Sequence, residues 1–415
     1  MIRHTSQYAE KVNPVGKSAV STPSRVVEYG FYLYMCYFLL GGAYGLFVNN
    51  LASALLVVLV LLCLYEVGFQ AIPVIRLLAF PLGCGVAYTC IQLFFFESAV
   101  TVTVRPFLIW MMTLVLVQSL ALRANFLHRF VLVMFFIGLA ALPYLSFNEY
   151  GTQAGKMLRA QIDGGIEFGH TNAVGNWYGF CAVYFLLRGW IARTSALRSL
   201  SWLIAVGCLY VVTLTVSRGA LLAVAIAIVM ASRHVLKNGL LPLLLAACVG
   251  WIVLELGIFE QATQVYAERG TEDSGRLAVW PLIIDSFLDS PWIGVGDANT
   301  GAITARGTFV TPHNGFLYLA QSSGIVPLAL FIAYWLRAGR AAFQADVGKS
   351  PDAIFYLPFF TFSFITVNAS NVIFLQLWVI VSLAIPLTVS VKRQAVDIPG
   401  QVKRGVEAAR FEIAK

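Results

Sequence analysis

The sequence predicts an all-α polytopic membrane protein, and three observations carry that prediction. Of its 415 residues 59% are hydrophobic and only 12% are charged, whereas a soluble domain carries about a quarter charged residues. Apolar runs of about twenty residues recur along the chain, the length a helix needs to cross roughly 30 Å of hydrocarbon. The runs are continuous, which excludes a barrel, whose strands alternate between lipid-facing and lumen-facing residues.

Residues 1–28 are polar and basic and read as a cytoplasmic N-terminal segment. The run 29–47 is too long for a signal-peptide core and lacks a small-residue cleavage site, so it is expected to stay as the first span. Further spans are expected at 50–66, 71–94, 106–122, 127–147, 172–188, 201–216, 218–232, 239–258, 314–336, 353–370 and 373–391. Nine of these twelve spans fall in 29–258, around an outer loop at 148–171; the rest fall in 314–391, after a large outer loop at 259–313 and before a cytoplasmic tail, 392–415.

Basic residues set the orientation. With a cytoplasmic N-terminus the inner segments hold twenty Lys and Arg and the outer ones seven, with Arg76 just inside the third span. That bias predicts both termini on the cytoplasmic side. The apolar stretch 201–232 would be about 48 Å long as one helix, and one crossing would separate the basic groups 188–198 and 233–237. A hairpin turning at Ser217-Arg218-Gly219 keeps both inside, with Gly219 suited to the turn. Its arms of about fifteen residues reach only about 23 Å, so Arg218 is expected below the outer surface.

The net charge of +8 is spread between spans and at the termini, a topology pattern that points away from nucleic acid. All seven cysteines lie in apolar segments, which excludes disulfides and thiolate metal sites in the loops. None of the twenty carboxylates falls in the middle of a span, which argues against an ion-coupled carrier. Asp285, Asp289 and Asp297 are dispersed rather than paired as divalent-cation ligands would be, so no metal or other cofactor is expected.

Chemistry is left to the outer loops. Within the large one, 277–288 is apolar enough for a helix on the interface, with Pro281 in its first turns. Arg218 at the hairpin tip, Arg276 at the head of this helix and Arg159 in the shorter loop could converge on one anion. Guanidinium pairs bidentately with phosphate oxygens, so a lipid-linked phosphate or pyrophosphate suits them. Of five histidines, His4, His128 and His234 read as cytoplasmic surface residues. His170 and His313 begin spans on the outer side, followed by Asn172 and Asn314; a near-neutral imidazole can take a proton from an attacking hydroxyl.

Val216-Ser-Arg-Gly219 at a span start, Gly275-Arg-Leu-Ala-Val-Trp280, Pro291-Trp-Ile-Gly-Val-Gly296, and His313-Asn-Gly-Phe-Leu317 with Gln321-Ser-Ser-Gly-Ile325 follow in that order. This order resembles the O-antigen ligase and polymerase superfamily of bacterial envelopes, over about residues 150–340. The resemblance implies a membrane glycosyltransferase of the GT-C type in the inner membrane, metal-independent and working at the periplasmic face. Its implied donor is a glycan on undecaprenyl pyrophosphate and its implied acceptor the lipid A core. Carried onto this chain, Arg218 and Arg276 hold the pyrophosphate and His313 activates or positions the acceptor hydroxyl. Arg159 adds a phosphate contact and Asn314 a local orienter, with His170 and Asn172 in support. A dominant second loop favours ligase over polymerase. A protein-glycosylating member and a non-catalytic lipid flippase are the remaining readings; oligomeric state is open.

Overall fold

The computed structural model describes residues 22–41, 44, 49–68, 76–97, 100–152, 155–163, 170–235, 276–304, 307, 309–348, 351–369 and 376–390. The ninth expected span, the large loop before Arg276, the first part of the N-terminal segment and the tail lie outside the described residues.

Within them the chain is mostly helical: α1 (Arg25–Leu40), α2 (Asn49–Val67), α3 (Ala79–Phe95), α4 (Val100–Leu120) and α5 (Phe126–Ala141) come first. A β-hairpin, β1 (Leu145–Thr152) and β2 (Gly155–Ile162), leads to α6 (Thr171–Ile191), α7 (Ser195–Leu214) and α8 (Arg218–Val235). Then come α9 (Arg276–Asp289), the short strands β3 (Ala302–Ile303) and β4 (Phe309–Val310), α10 (Gly315–Ser323), α11 (Ile325–Phe343) and α12 (Ala353–Val367), and finally α13 (Leu377–Ser390). Four described helical stretches are long and apolar enough to cross a membrane, Asn50–Val67, Phe126–Tyr144, Ser195–Leu214 and Ile325–Phe343, and shorter apolar helices accompany them. The protein is a multi-pass helical membrane protein.

The centre of the bundle is α6, buried on every side as an all-round apolar helix must be. It packs against α5, α7, α8 and α12. Its aromatic residues carry polar atoms that hydrocarbon cannot satisfy, and α5 supplies the partners: Trp177 Nε1 donates to the Met134 carbonyl at 3.1 Å and Tyr178 OH to that of Gly138 at 2.6 Å. A Cβ at Gly138 would lie 3.1 Å from the Trp177 nitrogen and 3.3 Å from the Tyr178 oxygen, so glycine permits this approach. Trp378 of α13 meets Trp177 edge-on at 6.1 Å, and Phe359 of α12 meets Phe180 at 4.3 Å. Ser363 joins α12 to α13 by donating to Ser382 Oγ at 2.9 Å, the kind of interhelical hydroxyl contact that membrane bundles use. Leu203, Val229 and Leu336 face outward, where lipid would be.

The hairpin expected at 217–219 is present, but its turn lies earlier. α7 ends at Leu214 and Val216 takes the left-handed conformation, φ 51°. Gly219 is already in the first turn of α8, where a Cβ would stand 3.1 Å from Ala369 Cβ; its small size serves packing against the end of α12. The arms have 20 and 18 residues, longer than expected because α7 starts at Ser195, capped by Thr194.

Three further expectations change. The segment 148–171, taken as loop, contains most of the antiparallel hairpin, with Leu145 opposite Ile162 and Asn148 opposite Arg159. The span 314–336 is two helices, because Gly324 (φ 80°) ends α10 and begins α11. His128 is no surface residue: its Nδ1 lies 2.9 Å from Tyr184 OH and its Nε2 3.0 Å from Asp352 Oδ1, joining α5, α6 and the start of α12.

Candidate functional site

Arg159, at mid-strand in β2, is where the hairpin meets the bundle. Its Nε donates to the Thr215 carbonyl at 2.9 Å and its Nη2 to Asn172 Oδ1 at 3.0 Å. One guanidinium therefore ties the turn before Arg218 to the first turn of α6. Asn172 is the acceptor of that tie. Gly175, one turn further along α6, brings the two helices close: a Cβ there would be 2.8 Å from Thr215 Oγ1 and 3.0 Å from Ser217 Cβ. His170 precedes α6 and is exposed, and its carbonyl accepts from Ala173 N at 2.9 Å.

Arg218 opens α8 and is half-buried. Behind it, α8 packs along α12, whose C-terminal Asn368 reaches the next piece of the site. Asn314 Nδ2 donates to Asn368 Oδ1 at 2.9 Å. The same Asn314 caps α10, its Oδ1 accepting from Phe316 N at 2.9 Å and Leu317 N at 3.1 Å, as short polar caps do. His313 stands immediately before this cap at φ 48°, half-buried. Histidine tolerates that left-handed region better than most side chains. On its other side, the Pro312 carbonyl accepts from Trp280 Nε1 at 2.9 Å. The His313 backbone is thus held from both directions.

Trp280 lies one turn into α9, the helix that begins at Arg276. Val279 and Ile283 of α9 are buried, and Ser286 accepts from Gln321 Nε2 of α10 at 3.1 Å. Leu282, Ile284, Leu288 and the following Trp292 are exposed, apolar side chains that suit the interfacial placement expected for 277–288.

The glycine-rich motifs form a clasp that aims α10. Val295 N donates to the Gln321 carbonyl at 2.7 Å, Gly296 N to Ser322 at 3.1 Å, and Ile325 N to the Pro291 carbonyl at 2.8 Å. Gly294 and Gly324 both have positive φ, and a Cβ on either would lie 2.3 Å from a backbone oxygen of the other segment. Only glycine allows the two backbones so near.

Asp297, which sequence reasoning set aside as dispersed, is the hub next to this clasp. Its carboxylate accepts from Tyr88 OH of α3 and from Tyr318 OH of α10, the latter at 3.1 Å. Its backbone N donates to Gln92 Oε1 at 3.0 Å, while Gln92 Nε2 donates to the Ser322 carbonyl at 2.8 Å. Burial raises the Asp297 carboxyl above its ordinary value, against the two tyrosine bonds that favour its charged form. The available signal was Tyr88 and Gln92, polar residues four apart in an otherwise apolar helix. Asn368 was also missed; a polar Asn-Ala-Ser-Asn patch at 368–371, between two expected spans, marked it.

Linked contacts therefore connect Arg159, Asn172, the Arg218 turn, Asn314, His313 and the α9 helix at one end of the bundle. Arg218 and Arg276 are the first residues of α8 and α9, and His313 lies two residues before α10. Helix N-termini carry unpaired N–H groups and partial positive charge, so the backbone adds to the attraction of the side chains for an anion.

The O-antigen ligase family matches residues 203–332 of this chain, a segment running from within α7 to within α11. No curated protein matches it. Across that segment, which holds Arg218, Arg276 and His313, the chain is similar to the O-antigen ligase superfamily, whose members are enzymes of glycan transfer.

Proposed function

We propose that the protein is an O-antigen ligase, transferring a glycan from undecaprenyl pyrophosphate to the lipid A core oligosaccharide at the periplasmic face of the inner membrane, with a GT-C type architecture. The observation that carries this reading is the linked set of helix starts bearing Arg218, Arg276 and His313, within the segment that matches the family. The acceptor oxygen attacks the anomeric carbon as the bond from that carbon to the pyrophosphate oxygen breaks. The hydroxyl proton passes to the His313 imidazole. Charge growing on the leaving pyrophosphate meets Arg218 and Arg276 with the N-terminal ends of α8 and α9. Arg159 and Asn172 hold the Arg218 turn, Asn314 holds the loop that carries His313, and His170 flanks the site. Arginines supply the positive charge for the leaving group, so no metal is required. A single displacement inverts the anomeric configuration.

The test is transfer in detergent from undecaprenyl-pyrophosphate glycan to lipid A core with excess chelator, with the product's anomeric configuration read by NMR. Inverted product from wild type supports the proposal. Retained configuration or dependence on added metal overturns the mechanism, and elongation of the donor without transfer to core reassigns the protein as a polymerase.

A further inference from the structure

At the opposite end of the bundle, the start of α1 and the α4–α5 joint enclose a cleft of about 420 Å³ lined by Arg25, Glu28, Tyr29, Arg123, Asn125 and Arg129. Three guanidiniums surround one carboxylate, leaving a surplus of positive charge. Glu28 is only 1% exposed and forms the floor. Its Oε1 takes Arg129 Nε at 2.6 Å and its Oε2 takes Nη2 at 3.0 Å, and Arg123 Nε lies 2.7 Å from the same Oε2 in an ion pair. Arg129 Nη2 also donates to the Ala124 carbonyl at 3.0 Å, and Arg123 Nη1 to that of Pro23. Glu28 accepts from Tyr32 OH at 2.7 Å as well. These bonds fix both guanidinium planes while leaving Arg129 Nη1 and Arg123 Nη2 unengaged among the described residues, and Arg25 is exposed beside them.

A neighbouring surface says what kind of anion fits. Val26, Tyr29 and Leu33 are 67%, 57% and 64% exposed and share one face of α1. Tyr29 also lines the cleft, so an apolar track starts at its mouth and runs along the helix. Phosphate-binding donors joined to a track for acyl chains match a phospholipid, and basic pockets between membrane helices bind anionic headgroups. We propose that this cleft is a binding site for the phosphodiester headgroup of an anionic membrane phospholipid, with its acyl chains along α1. The site is separate from the glycan-transfer chemistry and does not rest on it.

Native mass spectrometry of the full-length protein in detergent tests this, with dioleoyl phosphatidylglycerol or dioleoyl phosphatidylcholine as the probe. Wild type retains phosphatidylglycerol preferentially. Arg25→Gln, a change at an exposed residue, lowers that retention about five-fold, and the charge-balanced double change Glu28→Gln with Arg129→Gln lowers it further. Equal retention by wild type and Arg25→Gln, or no preference over phosphatidylcholine, overturns the proposal. Complete displacement of the lipid by millimolar inorganic phosphate overturns its assignment to lipid and leaves a site for free phosphate.

Discussion

The two ends of the bundle hold charge in different ways. At the α1 end, Arg123 and Arg129 share the Glu28 carboxylate, and His128 faces Asp352. At the other, Arg159 rests on a carbonyl and a side-chain amide, neutral acceptors that orient its guanidinium. The Glu28 ion pairs fasten the start of α1 to the α4–α5 joint, and two arginines on one carboxylate leave a net positive charge there. Neutral dipoles fasten Arg159 between the turn before Arg218 and the first turn of α6. The first arrangement joins helices through charge, the second through backbone and amide dipoles.

Substitution tests this contrast from its strongest consequence downward. Arg218→Ala and Arg276→Ala are each expected to lower kcat for glycan transfer by about a hundred- to a thousand-fold, and His313→Ala by about a hundred- to ten-thousand-fold, with a smaller loss of thermal stability than Glu28→Ala. Steady-state transfer and melting on the same preparations check both halves. Glu28→Ala should do the reverse. It strands the guanidiniums it now pairs, costing about 3 kcal/mol, the low end for a broken buried pair because Arg129 is partly open to solvent, while the folded fraction keeps wild-type turnover. Reversible unfolding in mixed micelles gives the first quantity and an active-fraction assay the second.

The ends also respond to pH with opposite signs. Burial alone would raise the Glu28 carboxyl, but the bonds from Arg129 and Tyr32 and the charges of both arginines hold it below its ordinary value. Its stabilising contribution is therefore present above the unfolded pKa and lost as pH falls through the folded one. Asp297 is raised, so its contribution is present below its unfolded pKa and lost as pH rises through the folded value. Glu28→Gln should flatten the acid limb of a stability-against-pH curve, and Asp297→Asn the limb above the ordinary carboxylate range. Asp297→Ala, which strips both tyrosines of their acceptor, costs about 1–3 kcal/mol; equal behaviour of Asn and Ala would show that the tyrosine bonds contribute little.

Smaller effects follow at the braces. Asn368→Ala removes the partner of Asn314 Nδ2 but leaves the α10 cap, and should cost about 1 kcal/mol with a fall in kcat rather than a rise in KM. His170→Ala, at an exposed position, should change transfer least of all. A large loss there would move His170 into the reacting group.

Hydropathy made the helices legible because lipid demands long apolar segments with satisfied backbones. Charge distribution also placed the α7–α8 hairpin, and the two-residue error in its turn arose because Val216 takes a φ more typical of glycine. The order of short motifs singled out Arg218, Arg276, His313 and Asn314 as candidates. Other features depend on information that no local window contains. The break at Gly324 follows a short polar patch, Gln321-Ser-Ser, inside an expected span, and the Pro291–Gly296 turn packs against it. Asp297 looked isolated because Tyr88 and Gln92 lie some 200 residues away in sequence. The β-hairpin was concealed by its polar composition, and His128 by its place in a basic joint.

The bond from Asn314 to Asn368 and the contact of Gly219 with Ala369 also order events during synthesis. Arg159, Asn172 and Arg218 leave the ribosome early, yet the brace linking α8 to the His313 loop does not exist until α12 has been made. A nascent chain stopped before Asn368 carries Arg218 and His313 without the part that joins them. Insertion of α12 is therefore the step that supplies this brace, with only α13 of the described helices still to follow.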